Sequence, residues 1–416
     1  MRTVVLAVVL GAAVGLFAAV YLLAVHGLEH LLWDGTSPRL LGGGPLATVL
    51  LCVAGGVLVG AIRVRHDHEL PHDIDDALHE LDEAVDDDER TPPPSVNHIA
   101  RSALLGVVSL GFGASLGPEA PLLVVTVGLG QRLARILHAT RQEAAYISAA
   151  GALSGLFGGP LGSVVLPIEG GRASARKLSM LPFGLIASVS GLFALLLALP
   201  GEGGHRYHLA TEVVPQEREL LVQLLWATLA ALPAALAGLA LMAAAGPVRR
   251  LAERWLRSPV LRAAAGGLVL GLCGAAAPLT LFSGQHQEQQ LIDDLADYTA
   301  VGLLLLVALK LVATLACLST GWFGGQIFPA IFAGSTMALV LTAVAATAPV
   351  GAVAAAGAAA ATAAILRRPL ASVLLLLFYF PGDALAALTV GAAVAMLVVH
   401  LLGDRAPASQ KLVGGH

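Results

Sequence analysis

Glu119 stands in the stretch Ser115-Leu116-Gly117-Pro118-Glu119-Ala120-Pro121-Leu122-Leu123, and no other ionisable residue lies between Leu104 and Gly130. An acid in such apolar surroundings is a functional candidate, because ionisable groups are expensive there and are kept to hold protons or line ion paths. A related break without the acid returns about 200 residues later, at Gly324-Gly325-Gln326-Ile327-Phe328-Pro329-Ala330. Each is a Gly-x-x-x-Pro step opening an apolar run. A helix that starts at such a break leaves its first backbone N–H groups unpaired, and two of these starts can line an anion site. The candidate anion contacts are Gly117, Pro118 and Ala120 on one side and Gly325, Gln326, Ile327 and Phe328 on the other. Glu119 would compete with the anion and carry a proton. Pro118 suits a first helical turn yet removes one N–H from the site. The glycines of the second break also suit close helix packing.

Other clusters carry less chemistry. His66-Asp67-His68-Glu69-Leu70-Pro71-His72-Asp73 has the residue types of a zinc site but no fixed helical spacing, so it reads as solvated and no metal or other cofactor is expected. Asp86-Asp87-Asp88-Glu89 is a solvated run. Glu169 ends its apolar run and reads as a boundary acid rather than a proton relay. Cys52, Cys273 and Cys317 sit in apolar runs without ligand spacing and read as packed side chains. No HExxH or Ser/His/Asp arrangement supports hydrolysis, so an enzyme is not expected.

The elements that must position these residues are membrane helices. The chain has 416 residues, 57% of them hydrophobic and 12% charged, with a mean hydropathy of +0.81. That is more apolar residue than a soluble core needs, and it predicts an all-α polytopic membrane protein. Apolar runs fall at about 3–25, 44–62, 99–116, 121–135, 143–157, 180–199 and 219–246, then at about 259–282, 299–320, 327–348, 350–366, 369–380 and 384–402. Several are too short or Gly-interrupted to cross about 30 Å alone, and broken helices belong where they are buried or line a wet cavity. Residues 1–25 run on to Trp33 without a small-residue cleavage site and read as a retained helix. A net charge of −4 offers no basic footprint for nucleic acid.

Polar residues are concentrated between the runs. Residues 64–98 hold 12 of the 28 acids and 5 of the 13 histidines and read as a loop, with one short helix at Asp73–Val85. Polar connectors follow at Pro200–Glu219 and Ser283–Asp297. The two halves, about 1–200 and about 219–403, match in register. Arg101 and Lys310 are 209 apart, as are Pro160-Leu161 and Pro369-Leu370, and Gly117 and Gly325 are 208 apart. Three landmarks at offsets that agree to within one residue indicate an internal repeat. Transporters commonly invert such halves, so inverted halves with broken helices meeting at a central anion site are expected. Residues 1–403 form one transmembrane unit in this reading, and 404–416 a short polar tail.

These motifs together resemble the CLC family of chloride channels and chloride/proton antiporters. Gly117-Pro118-Glu119-Ala120-Pro121 resembles its Gly-Lys/Arg-Glu-Gly-Pro signature, in which the glutamate is the external gate. Gly325-Gln326-Ile327-Phe328-Pro329 is similar to its Gly-x-Phe-x-Pro signature, with Ile327 where the family has Phe. Glu29-His30-Leu31-Leu32-Trp33 and the Pro-Leu segments Gly151–Glu169 and Gly357–Phe378 fit as well. The resemblance implies transport of chloride or a similar small anion, proton coupling in the antiporters, a homodimer with one pathway per subunit, and a cell-membrane location with cytoplasmic termini. Two other readings are a related transporter of a different ion and a membrane metal-binding protein using His66, His68 and His72.

The departures from the family pattern are specific. Anchored by Pro71, Asp67-His68-Glu69-Leu70-Pro71 falls where the family has Gly-Ser-Gly-Ile-Pro. His68 then replaces an anion-coordinating serine, between two acids. An ionised carboxylate beside a permeating anion costs roughly 4 kcal/mol at ~4 Å in an effective dielectric of ~20, and a protonated His68 offsets part of that. The family's central tyrosine falls near Pro407, and no tyrosine follows Tyr379. An acid that the family carries after the second Pro-Leu motif is replaced by Phe378. Glu202 is the nearest candidate by position for the inner proton acceptor.

Overall fold

The computed structural model describes residues 1–39, 42–64, 74, 77, 78, 81, 93–134, 136–169, 175–200, 207, 217–405 and 407. The first half contains α1 (Arg2–Leu32), α2 (Pro45–Arg63), α3 (Val96–Gly111), α4 (Glu119–Leu133), α5 (Arg141–Phe157), α6 (Pro160–Glu169) and α7 (Ala175–Ala198). The second contains α8 (Glu217–Trp255), α9 (Pro259–Ala276), α10 (Gln285–Asp293), α11 (Ala300–Thr320), α12 (Ile327–Val344), α13 (Val350–Leu366), α14 (Pro369–Leu376) and α15 (Leu385–Leu402). Strand is confined, among the described residues, to a two-rung pairing of Trp33-Asp34 with Ser37-Pro38.

Among the described residues, eight helical segments are long and apolar enough to cross a membrane. The chain is therefore a multi-pass membrane protein. α6 and α14, at 10 and 8 residues, reach only about 15 and 12 Å and cannot span alone. Local sequence sets the ends. Thr140 and Glu143 form a reciprocal capping box that starts α5, and Gly158 in the left-handed region stops it. Glycine lets α1 and α7 lie in contact, since a Cβ on Gly15 would sit 2.2 Å from the Gly191 carbonyl oxygen.

Hydrogen bonds show how the halves run. Trp33 Nε1 at the end of α1 donates to the Gly111 carbonyl at the end of α3 (3.0 Å), so these two helices end on one face. Phe282 packs edge-on to Trp33, with centroids 5.3 Å apart, and its carbonyl accepts from Lys310 Nζ on α11. α11 then runs away from that face and ends at Gly321, whose carbonyl accepts from Arg63 Nε at the far end of α2. α3 approaches the Trp33 face while its repeat partner α11 leaves it, so the halves are inverted, as expected.

Two polar connectors hold more structure than their composition suggests. Ile74, Ala77, Leu78 and Leu81 are helical and buried in the main core. Their i, i+3, i+4, i+7 spacing is one helical face, so part of the acidic loop packs inside the protein. In the Ser283–Asp297 connector, α10 buries Glu288 and Leu291.

Candidate functional site

The two chain breaks meet. Gly117 N–H donates to the Gly325 carbonyl and Gly325 N–H to the Gly117 carbonyl, both at 2.8 Å, as a single antiparallel bridge. This reciprocal pair joins the two halves where α4 and α12 begin. Glu119, first residue of α4, is fully buried. Its Oε1 accepts from the Ile327 N–H at the first turn of α12, at 2.8 Å. The carboxylate thus occupies a helix N-terminus, where unpaired donors and the macrodipole favour negative charge. Such a helix start is a candidate seat for a small anion. Oε2 is buried with no hydrogen-bond partner among the described residues.

Both glycines are there for steric reasons. A Cβ on Gly117 would lie 2.0 Å from Glu119 Oε2, and one on Gly325 would lie 2.3 Å from Glu119 Oε1. No larger residue fits either position while the carboxylate keeps its place. Around it, Pro118, Ala120, Gln326, Ile327 and Phe328 are buried. The sequence-predicted set at 117–120 and 325–328 is thus assembled in one place. Gln326 Oε1 accepts from the Ile74 N–H (3.3 Å), which draws the helical residues of the acidic segment to the same junction. His68 and Glu202 lie outside the described residues. So do His66 and His72, and no group of three metal-ligating side chains occurs among the described residues.

An aromatic wall was missed in the sequence. Phe328 stacks on Phe157 with centroids 5.3 Å apart, and Tyr379 stands edge-on to both, at 5.8 and 6.3 Å. The Tyr379 hydroxyl donates to the Leu156 carbonyl at 3.1 Å. Tyr207 joins through its ring, 5.8 Å from Tyr379, and its N–H, which donates to the Tyr379 carbonyl at 2.8 Å. Tyr379 is the last tyrosine in the chain. It occurs directly after the second Pro-Leu helix rather than in the C-terminal tail, and it still reaches the surroundings of Glu119.

Glu169 is a boundary acid. Its two oxygens accept from the Leu370 and Ala371 N–H groups (2.8 and 2.6 Å), capping α14 across the repeat. A cavity of about 700 Å³ opens above the junction on the face where α1 ends. Pro118 forms part of its floor, and its polar lining includes His26, Glu29, His30, Asp34 and His286.

The profile of the voltage gated chloride channel family matches residues 76–400. The chain belongs to that family. YfeO of Escherichia fergusonii, an ion-transport protein by designation, is 27% identical over 344 residues, covering 80% of this chain and 78% of its own. The fold is similar to that of a slow cyanobacterial Cl-/H+ antiporter, with a TM-score of 0.80 at 20% identity over 98% of this chain and 96% of that one. It is also similar to a CLC-type fluoride/proton antiporter, with a TM-score of 0.75 at 18% identity over 95% and 94% of the two chains. The family is one of anion transport, and the broken helices, the glycine bridge and the buried carboxylate form its candidate path in this chain.

Proposed function

We propose that the protein moves a small inorganic anion, chloride first among them, across the cell membrane, with Glu119 as gate and exchangeable proton carrier. The observation that carries this reading is the Glu119 carboxylate on the Ile327 N–H at 2.8 Å, a side-chain anion in a seat for a free one. An arriving anion displaces the carboxylate and takes the backbone donors. The displaced carboxylate, desolvated and short of partners, takes up a proton to avoid the cost of an unpaired buried charge. Alternation of anion and carboxylate at one seat, with the displaced carboxylate protonated, couples the two fluxes. Residues 1–403 act as one transport unit, the assembly is a homodimer with one path per subunit, and both termini are cytoplasmic.

The test is reconstituted flux of chloride, fluoride and nitrate with a pH probe in the same vesicles. Chloride flux with opposed proton movement supports the reading. Flux of fluoride alone moves the substrate without touching the gate, and vesicles inert to all three anions remove the reading altogether.

A further inference from the structure

α10 lies between the cavity and α12, the helix whose first turn holds the Glu119 carboxylate. Gln285 and His286 line the cavity, while Glu288 is fully buried. Neither oxygen of Glu288 has a hydrogen-bond partner of ordinary geometry among the described residues. The Ser335 hydroxyl of α12 approaches it and also lies within hydrogen-bond distance of the Ile331 and Phe332 carbonyls (2.8 and 3.0 Å), so its one hydrogen is shared among three acceptors. The facing cation is Lys310 of α11, also fully buried. Its ammonium donates to the carbonyls of Thr280 (3.2 Å), Leu281 (3.5 Å) and Phe282 (2.8 Å) and lies 5.1 Å from the centre of the Phe332 ring. Lys310 attracts Glu288 electrostatically while its donors are committed elsewhere.

A buried carboxylate short of donors is costly as an anion and cheap as a neutral acid. Burial pushes the Glu288 carboxyl up to about 8, with Ser335 and Lys310 pulling it partly back. Two buried tyrosines, their rings 5.8 Å apart, lie between its electrostatic surroundings and those of the gate. Tyr207, whose hydroxyl has no partner among the described residues, lies within electrostatic reach of Glu288 and Tyr379. Tyr379 in turn lies within electrostatic reach of Glu119. Cys317, on its own helix, is a second ionisable neighbour of Lys310 among the described residues. A purely structural acid would be expected to close on Lys310 as an ion pair, and Glu288 does not.

We propose that Glu288 is a second proton-binding carboxylate of the transport cycle, loaded from the cavity and coupled to Glu119 through Tyr207 and Tyr379. This rests on the proton-coupled reading of the gate. Glu288 gains a proton from cavity water and gives it up again, facing the basic Lys310, so no bond other than O–H changes.

The test uses the full chain in vesicles under an anion gradient, with anion and proton fluxes read together. Glu288→Gln is expected to lower protons moved per anion about tenfold or more, the scale of losing a positioned proton-transfer group, while anion flux persists. Tyr207→Phe, which keeps the ring packing, is expected to lower the ratio in the same direction by less. Infrared difference spectra between about pH 6 and pH 9, bracketing the value near 8, should show a titrating carboxyl band that Glu119→Gln keeps and Glu288→Gln loses. An unchanged ratio in both Glu288→Gln and Tyr207→Phe, beside a coupled wild type, overturns this inference alone. A wild type that carries no anion overturns the functional reading and this inference with it. Should Glu288→Gln fail to fold, an unchanged ratio in Tyr207→Phe overturns the inference.

Discussion

The starts of α4 and α12 are repeat partners that divide one task. α4 begins with a carboxylate, Glu119, and α12 begins with the backbone donor that receives it, the Ile327 N–H. Between them Gly117 and Gly325 exchange hydrogen bonds as equals, so the backbone keeps the symmetry that the side chains have lost. The Pro-Leu helices repeat this pattern. Glu169 at the end of α6 caps the start of α14. Its counterpart 209 residues on is Phe378, which packs against Gly159 at the start of α6, where a Cβ would meet the ring at 2.4 Å. In both pairs the first half contributes the acid and the second an apolar or backbone partner. A duplicated membrane fold can thus hold one charge at its centre, where two facing carboxylates would repel strongly.

The comparison can be broken at the bridge. Gly325→Ala puts a methyl group 2.3 Å from Glu119 and must expel the carboxylate or shift the backbone. A stability loss of about 1–3 kcal/mol, the usual cost of overpacking, is expected in detergent melts, together with the largest fall in anion flux of any variant named here. Gly325→Ala with unchanged flux would show that the carboxylate does not hold this place during transport.

A smaller effect is expected at the second pair. Glu169→Ala removes both acceptors at the start of α14 and should cost about 0.5–2 kcal/mol, as for other lost helix caps. Phe378→Ala should cost less than the roughly 3–5 kcal/mol of a fully buried ring, because Phe378 is only partly buried. Thermal melts of the two variants decide whether acid and ring are comparable anchors.

Glu288 gives a pH signature. Its carboxyl is raised from the ordinary 4.5 to about 8 in the folded protein. Between those values the folded state binds more protons than the unfolded one, so its contribution to stability falls as pH rises from about 4.5 to about 8 and is fully present only below that window. Melts of the wild type should weaken over this window relative to Glu288→Gln, and parallel curves would contradict it. The smallest effect is expected at His68, where His68→Ala should flatten the pH dependence of flux over about pH 5–8. A profile identical to the wild type would remove His68 from the path.

The central junction was legible because its signal is local. Two Gly-x-x-x-Pro breaks 208 residues apart gave Gly117–Ala120 and Gly325–Phe328, and an offset one residue longer gave the two Pro-Leu helices. The inversion of the halves needed the structure, because a repeat in sequence carries no direction. The aromatic wall was not legible, since Phe157, Tyr207 and Tyr379 come from separate segments and only tertiary packing brings them together. Glu288 was obscured by the glutamines around it, which make α10 read as a solvated connector. A signal was present: Glu288, Leu291 and Ile292 lie at i, i+3 and i+4, which puts the acid on the apolar face of a short helix. Ile74, Ala77, Leu78 and Leu81 carried the same signal inside the acidic loop.

The most direct measurement is proton and chloride flux through Glu119→Gln in reconstituted vesicles, beside the wild type. The neutral side chain keeps the shape of the gate and loses its titratable carboxyl. The expected result is abolished proton movement with anion flux continuing. Proton uptake that persists in Glu119→Gln would contradict the assignment of Glu119 as proton carrier.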